Sequence, residues 1–222
     1  MMPYMVGFVK RFSIFAVLFL TACGGGTPVR QAAYPIDCRQ GMPIKDLLQR
    51  GDSHRDRLMQ ETGPENIDPE QWQQVRKVHG LRARTCYQNV LDEKPDSAYA
   101  LENIGFTYIV ESTLPEQTPE ARDKDLINAT NFFRQALDAQ HLDSQAYFYL
   151  GEIAARRGQC EKAMRIFNAL ISSRWNYSHV YVWMGYCDET MGDAEGAKQN
   201  YRKAAEISNP IAIAEWARSK YK

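Results

Sequence analysis

Apolar residues fall into two patterns along the 222-residue chain. Near its start, Phe12 to Leu20 forms an apolar run, interrupted only by Ser13, behind Lys10 and Arg11; nine residues are too few to cross a hydrocarbon core of about 30 Å as a helix. From Ile44 onward the apolar positions return at helical spacing instead. Ile44, Leu47, Leu48, Leu58 and Met59 predict an amphipathic helix over 44–61, weakened at Gly51. Farther on, residues 144–177 and 178–211 repeat one another at an offset of 34: Tyr147 with Tyr181, Leu150 with Met184, Gly151 with Gly185, Gly158 with Gly192, Ala163 with Ala197, Phe167 with Tyr201 and Leu170 with Ala204. Each unit reads as two helices. Gly151 and Gly185 let the second helix approach the first closely, and Ala163 and Ala197 do the same from the opposite side. Gly158 and Gly192 supply the left-handed residue that ends one helix before the next begins.

A longer unit occupies 98–143, with Leu101, Ile104, Gly105 and Tyr108 in its first helix and Ala129, Phe133 and Ala136 in its second. It exceeds the period by 12 residues, placed between Tyr108 and Ala129, where 113–115 and 118–120 read as a loop with a new helix starting at Pro119. Upstream, Ala83, Tyr87, Val90 and Pro95 fit a second helix, whereas Ile67 to Gln74 fit a first helix poorly. Region 41–97 is therefore expected to hold a capping helix and a degenerate repeat. Asn209-Pro210 closes the last unit, and 212–222 is expected to form a carboxyl-terminal cap, with Trp216 laid on the final repeat.

The 34-residue period with its aromatic, Leu-Gly, Ala and aromatic positions resembles the tetratricopeptide repeat family. The resemblance implies an all-α fold, a right-handed α-solenoid of helix-turn-helix repeats with capping helices. It also implies a concave groove lined by the first helix of each unit. Carried over position by position, the lining is Tyr99, Glu102, Phe106, Ile109 and Val110, then Gln145, Phe148, Glu152, Ala155 and Arg156, then His179, Val182, Tyr186, Glu189 and Thr190. Phe106, Phe148 and Tyr186 recur near one angular position and stand out as guest contacts. An apolar helix or extended peptide is the implied guest. Members that clamp a terminal carboxylate use Lys and Asn on this face, and the stripe lacks that basic set.

The stretch Leu20-Thr21-Ala22-Cys23, directly after the apolar run, resembles the lipobox of bacterial lipoproteins. That resemblance implies a signal peptide over 1–22 and lipidation of Cys23, with 23–40 serving as a Gly-, Pro- and Ala-rich tether. Gly24 after the lipidated Cys favours the periplasmic face of the outer membrane over the inner membrane. Within the tether the fourteen residues 24–37 would span about 20 Å. Four cysteines then remain for an oxidising compartment, Cys38, Cys86, Cys160 and Cys187. Within the repeat geometry Cys160, early in a second helix, and Cys187, late in the next first helix, come to one level; a Cys160–Cys187 bridge is expected, and Cys38–Cys86 is the remaining pair.

Charge and chemistry narrow the function further. With 27 basic and 27 acidic residues there is no electrostatic footprint for nucleic acid. His54, His79, His141 and His179 are scattered, and no HExxH, GxSxG, Walker or GxGxxG motif occurs. No catalytic residue, metal site or cofactor is expected. The expectation is a non-enzymatic, membrane-tethered scaffold whose groove holds an envelope protein or peptide during assembly of a larger machine. Lipobox and repeats together resemble the pilotins that escort the secretin of a pilus or secretion system. The alternative is a regulatory adaptor that recruits peptidoglycan synthases or hydrolases.

Overall fold

Five of the eight helices among the described residues begin at a side-chain cap. In the computed structural model, which describes residues 38–64, 67–175 and 177–207, Asp68 accepts hydrogen bonds from the Glu70 and Gln71 amides and Pro69 occupies the first turn. Thr118 and Pro119 repeat that arrangement, and Ser97, Asp143 and Asp193 cap three further helices through their side-chain oxygens. The described residues contain eight helices and no strand: α1 (Ile44–Met59), α2 (Pro69–Glu93), α3 (Ala98–Ser112), α4 (Pro119–Ala139), α5 (Ser144–Arg156), α6 (Cys160–Ser172), α7 (Ser178–Met191) and α8 (Ala194–Glu206). The turns at Gly158 (φ 72°) and Gly192 (φ 85°) use the left-handed backbone expected of them.

Each helix packs on the next in the chain, and the first helices also touch in succession, α1 on α3, α3 on α5 and α5 on α7. That second set of contacts makes the array a solenoid with one face built of first helices. A single contact recurs through all four pairs. A Cβ built on Gly51, Gly105, Gly151 or Gly185 would lie 2.6, 3.0, 2.5 and 2.6 Å from the rings of Tyr87, Phe133, Phe167 and Tyr201, respectively. All four rings are fully buried. Glycine on the first helix and an aromatic on the second thus set the interhelical distance each time.

The first of these contacts revises the reading of 41–97. Gly51 does not weaken a separate capping helix; it seats Tyr87, so α1 is the first helix of a pair and α2 its second. The long α2 begins at Pro69, upstream of the repeat-like part, which is why Ile67 to Gln74 fit no first helix. In the 98–143 unit the extra residues divide between the turn 113–118, anchored by fully buried Leu114, and added amino-terminal turns of α4. Lys77 on α2 pairs with Glu116 of that turn at 2.9 Å, so the overlong α2 supports the insertion.

The buried side chains form two clusters, one around Tyr87, Ile104 and Phe133, the other around Phe167, Val180 and Tyr201. Cys38 and Cys86 are joined by a disulfide within the first cluster. Cys160 and Cys187 are buried free thiols, which corrects the expected bridge. They do lie side by side, as antiparallel packing requires, but their sulfurs hydrogen-bond, and burial together with Cys160 drives the Cys187 thiol pKa upward. Thiol–disulfide exchange needs a thiolate, and this environment withholds it. The expected signal peptide at 1–22, Cys23, the expected tether as far as residue 37, and the expected cap at 212–222 with Trp216 lie outside the described residues. No helix among the described residues is long and apolar enough to cross a membrane.

Candidate protein-interaction groove

The first helices α1, α3, α5 and α7 present the concave face, and the expected lining divides into three groups. Buried side chains form the first group. Ile109 (3 % exposed) and Ala155 are buried between helices, and Phe148 (7 % exposed) is enclosed by the rings of Tyr149, Phe167, Trp175 and His179 at centroid distances of 5.4–6.2 Å. These are structural residues, because their side chains are buried in the array rather than open to a guest. His179 belongs with Phe148, and its burial lowers its pKa.

A second group is half-open and engaged in the array. The hydroxyls of Tyr99 and Tyr87 donate to Asp52 Oδ1 at 2.7 and 2.8 Å, and Arg55 donates to Asp52 and Asn103. Burial raises the pKa of both phenols. This network closes the α1 end of the concave face. Beside it, Glu102, Phe106, Gln145 and Tyr149 line a basin of about 280 Å³ together with Arg55 and Asp56. Phe106 packs on Tyr149 at 5.4 Å. Burial and the neighbouring Asp143 carboxylate push Glu102 up to about 8. Near neutral pH it is largely protonated and shares that proton with Asp143.

The third group is the open one. Val182, Tyr186 and Arg156 line a groove of about 560 Å³ with Trp183, Leu126, Arg122, Ser112 and Thr113. Tyr186 is 39 % exposed, and its ring meets Trp183 edge-on at 5.5 Å. The Arg156 guanidinium lies over the Trp183 ring at 4.8 Å while its nitrogens bond Glu152 Oε1 at 2.7 and 2.8 Å. Burial raises the Glu152 pKa, and Arg156 and the Trp183 N–H oppose the rise. Glu152 is therefore an internal counter-ion rather than a surface acid. Glu189 and Thr190 are exposed at the far end of α7, where Glu189 accepts a hydrogen bond from Tyr201.

Five of the eight lining residues, Ser112, Thr113, Arg122, Leu126 and Trp183, escape the positional reading, and two of them matter most. Trp183 falls one residue beyond Val182, outside the five carried-over positions, although its spacing of three from Tyr186 places both on one helix face. Arg122 comes from a second helix. It reaches the groove only because the insertion adds turns to the start of α4. The described residues contain no cluster of three or more His, Cys, Asp or Glu able to hold a metal ion.

A helix-pair solenoid with an aromatic concave groove is the architecture of a protein–protein interaction scaffold. Tetratricopeptide repeat models match residues 145–173 and 178–210, which are the α5–α6 and α7–α8 pairs. Comparison with curated proteins finds no match. Among solved structures the chain is similar to the MamA protein, with 19 % identity over 78 % of this chain and 95 % of that one, at a TM-score of 0.35.

Proposed function

We propose that this protein is a lipid-anchored scaffold of the bacterial envelope whose concave groove holds another envelope protein while a larger machine assembles. The observation that carries the proposal is the open aromatic groove of α5 and α7 on a chain that also bears the lipobox-like Leu20-Thr21-Ala22-Cys23. Acylation at Cys23 would hold the repeats at a membrane surface, since each buried CH₂ contributes roughly 0.8 kcal/mol. The Cys38–Cys86 pairing suits an oxidising compartment. Gly24 favours the periplasmic face of the outer membrane, where a pilotin escorting a secretin would work.

Two measurements test this. Mass spectrometry of the amino-terminal peptide is expected to find residues 1–22 removed and Cys23 carrying a diacylglycerol on its thiol and an acyl chain on its new amino terminus; an unmodified Cys23 on a full-length chain would refute the anchor. Crosslinking in cells, followed by identification of the captured protein, is expected to return a secretin. Capture of a peptidoglycan synthase or hydrolase would assign the adaptor role instead.

A further inference from the structure

The insertion in the α3–α4 pair adds an unmatched cation to a groove whose first helices supply only Arg156, which Glu152 already pairs. Arg122 lines the same groove as Val182, Trp183 and Tyr186, and among the described residues no carboxylate pairs with it. The other charges at this end are already matched. Arg156 is bound to Glu152 at 2.7 Å, and Asp123 to Arg157 at 2.7 Å. Asp125 accepts from the Gln117 amide at 3.1 Å, and Glu189 accepts from the Tyr201 hydroxyl at 2.9 Å. Glu120, two positions before Arg122, points to the other side of α4 and is not part of the lining. The groove thus offers one uncompensated positive charge beside an aromatic wall, and a partner with a complementary negative charge gains orientation from it.

Resting on the proposed function and sharpening it, we infer that the segment held in this groove presents an aspartate or glutamate side chain to Arg122, next to an apolar residue packed against Trp183 and Tyr186. A side chain fits better than a chain terminus because the concave face continues past this groove to the basin at Phe106 and Gln145, leaving room for the guest to run on. The guanidinium offers two parallel N–H donors to a carboxylate. The aromatic pair supplies contact area at small entropic cost. The insertion would then act as a specificity element and not only as a longer connection.

The test uses acetyl-Phe-Asp-Leu-amide and its Asn and Lys counterparts as probes, titrated into the full chain at low salt while the indole N–H signal of Trp183 is followed by NMR. The Asp peptide is expected to bind about threefold more tightly than the Asn peptide, the size of a solvent-exposed ion pair. That preference should vanish in Arg122→Gln, persist in part in Arg122→Lys, and collapse at about 0.5 M salt. Helical circular dichroism should be unchanged in both variants. Equal affinity for all three peptides, a preference for Lys, a preference for Asp that survives Arg122→Gln, or a Trp183 signal that no peptide moves would each overturn the inference. So would an acetyl-Phe-Asn-Leu free acid that binds as well as the Asp peptide, since it would shift recognition to a chain terminus. These probes need no native partner, so their failure is distinct from a failure of the envelope reading, which shows only in the crosslinking.

Discussion

The α1–α4 and α5–α8 halves use the same glycine-on-aromatic contact, yet they reach it differently. In α5–α8 the second helices are 13 residues each, and glycine and ring are 16 residues apart in both pairs. In α1–α4 the second helices have 25 and 21 residues, with the added length at their amino-terminal ends. The separations stretch to 36 and 28. One half is stapled by Cys38–Cys86, and the other keeps Cys160 and Cys187 as neighbouring thiols. The difference teaches that the packing contact, not the period, defines the unit. Extra turns can be added to a second helix without disturbing it, and in α4 they place Arg122 in the groove.

The largest expected break in this comparison is Phe148→Ala. A ring enclosed by four others should cost about 3–5 kcal/mol on truncation, read by urea unfolding, whereas Tyr186→Ala on the open side should leave stability nearly unchanged. Next comes the staple. Cys38 and Cys86 are separated by 48 residues, and closing such a loop contributes about 4 kcal/mol in the chain-entropy model, so Cys86→Ser should lower the unfolding midpoint accordingly. Reductant should reproduce that loss in the wild type and add nothing in the variant. Treatment of a Cys160→Ala variant should show the same loss as the wild type, because its thiol pair contributes no crosslink.

A smaller effect is expected at the glycine contact. Gly151→Leu drives a side chain into the Phe167 ring and should cost about 1–3 kcal/mol unless the helices separate. Changing Gly192 to Ala, with φ at 85°, should cost about 1 kcal/mol, measured by the same unfolding curve.

Acid provides a probe of the α1–α2 pair. Burial, and then the neighbouring His54 ring 2.9 Å away between Nδ1 atoms, pulls His79 down to about 4. In the unfolded chain it titrates near 6.5. Between those values the unfolded chain binds more protons than the folded one, so stability should be complete above about 6.5 and fall as the pH drops toward 4. His79→Gln should flatten that part of the curve, and an unaltered slope would show that other groups govern it.

Legibility in the sequence followed the locality of each signal. Gly151 with Phe167 and Gly185 with Tyr201 are readable because both partners sit inside one 34-residue period. Gly51 with Tyr87 is not, because the added turns of α2 break the register and leave the glycine looking like a defect. The groove was legible only as a helix face. Family positions named Val182, Tyr186 and Arg156, but also Phe148 and Ile109, which the rest of the array buries. Position along one helix carries no information about what the neighbouring segments cover. Arg122 was invisible for the converse reason: it enters the groove from an element that ordinary units lack.

The central claim is that the open groove of α5 and α7, and no other face, holds the partner protein. A photo-crosslinking residue placed in turn at Tyr186, in the groove, and at Tyr147, exposed in the α5–α6 cleft away from it, tests this in living cells. The account predicts a discrete protein adduct from position 186 and none from position 147. An adduct from position 147 with position 186 silent would contradict it.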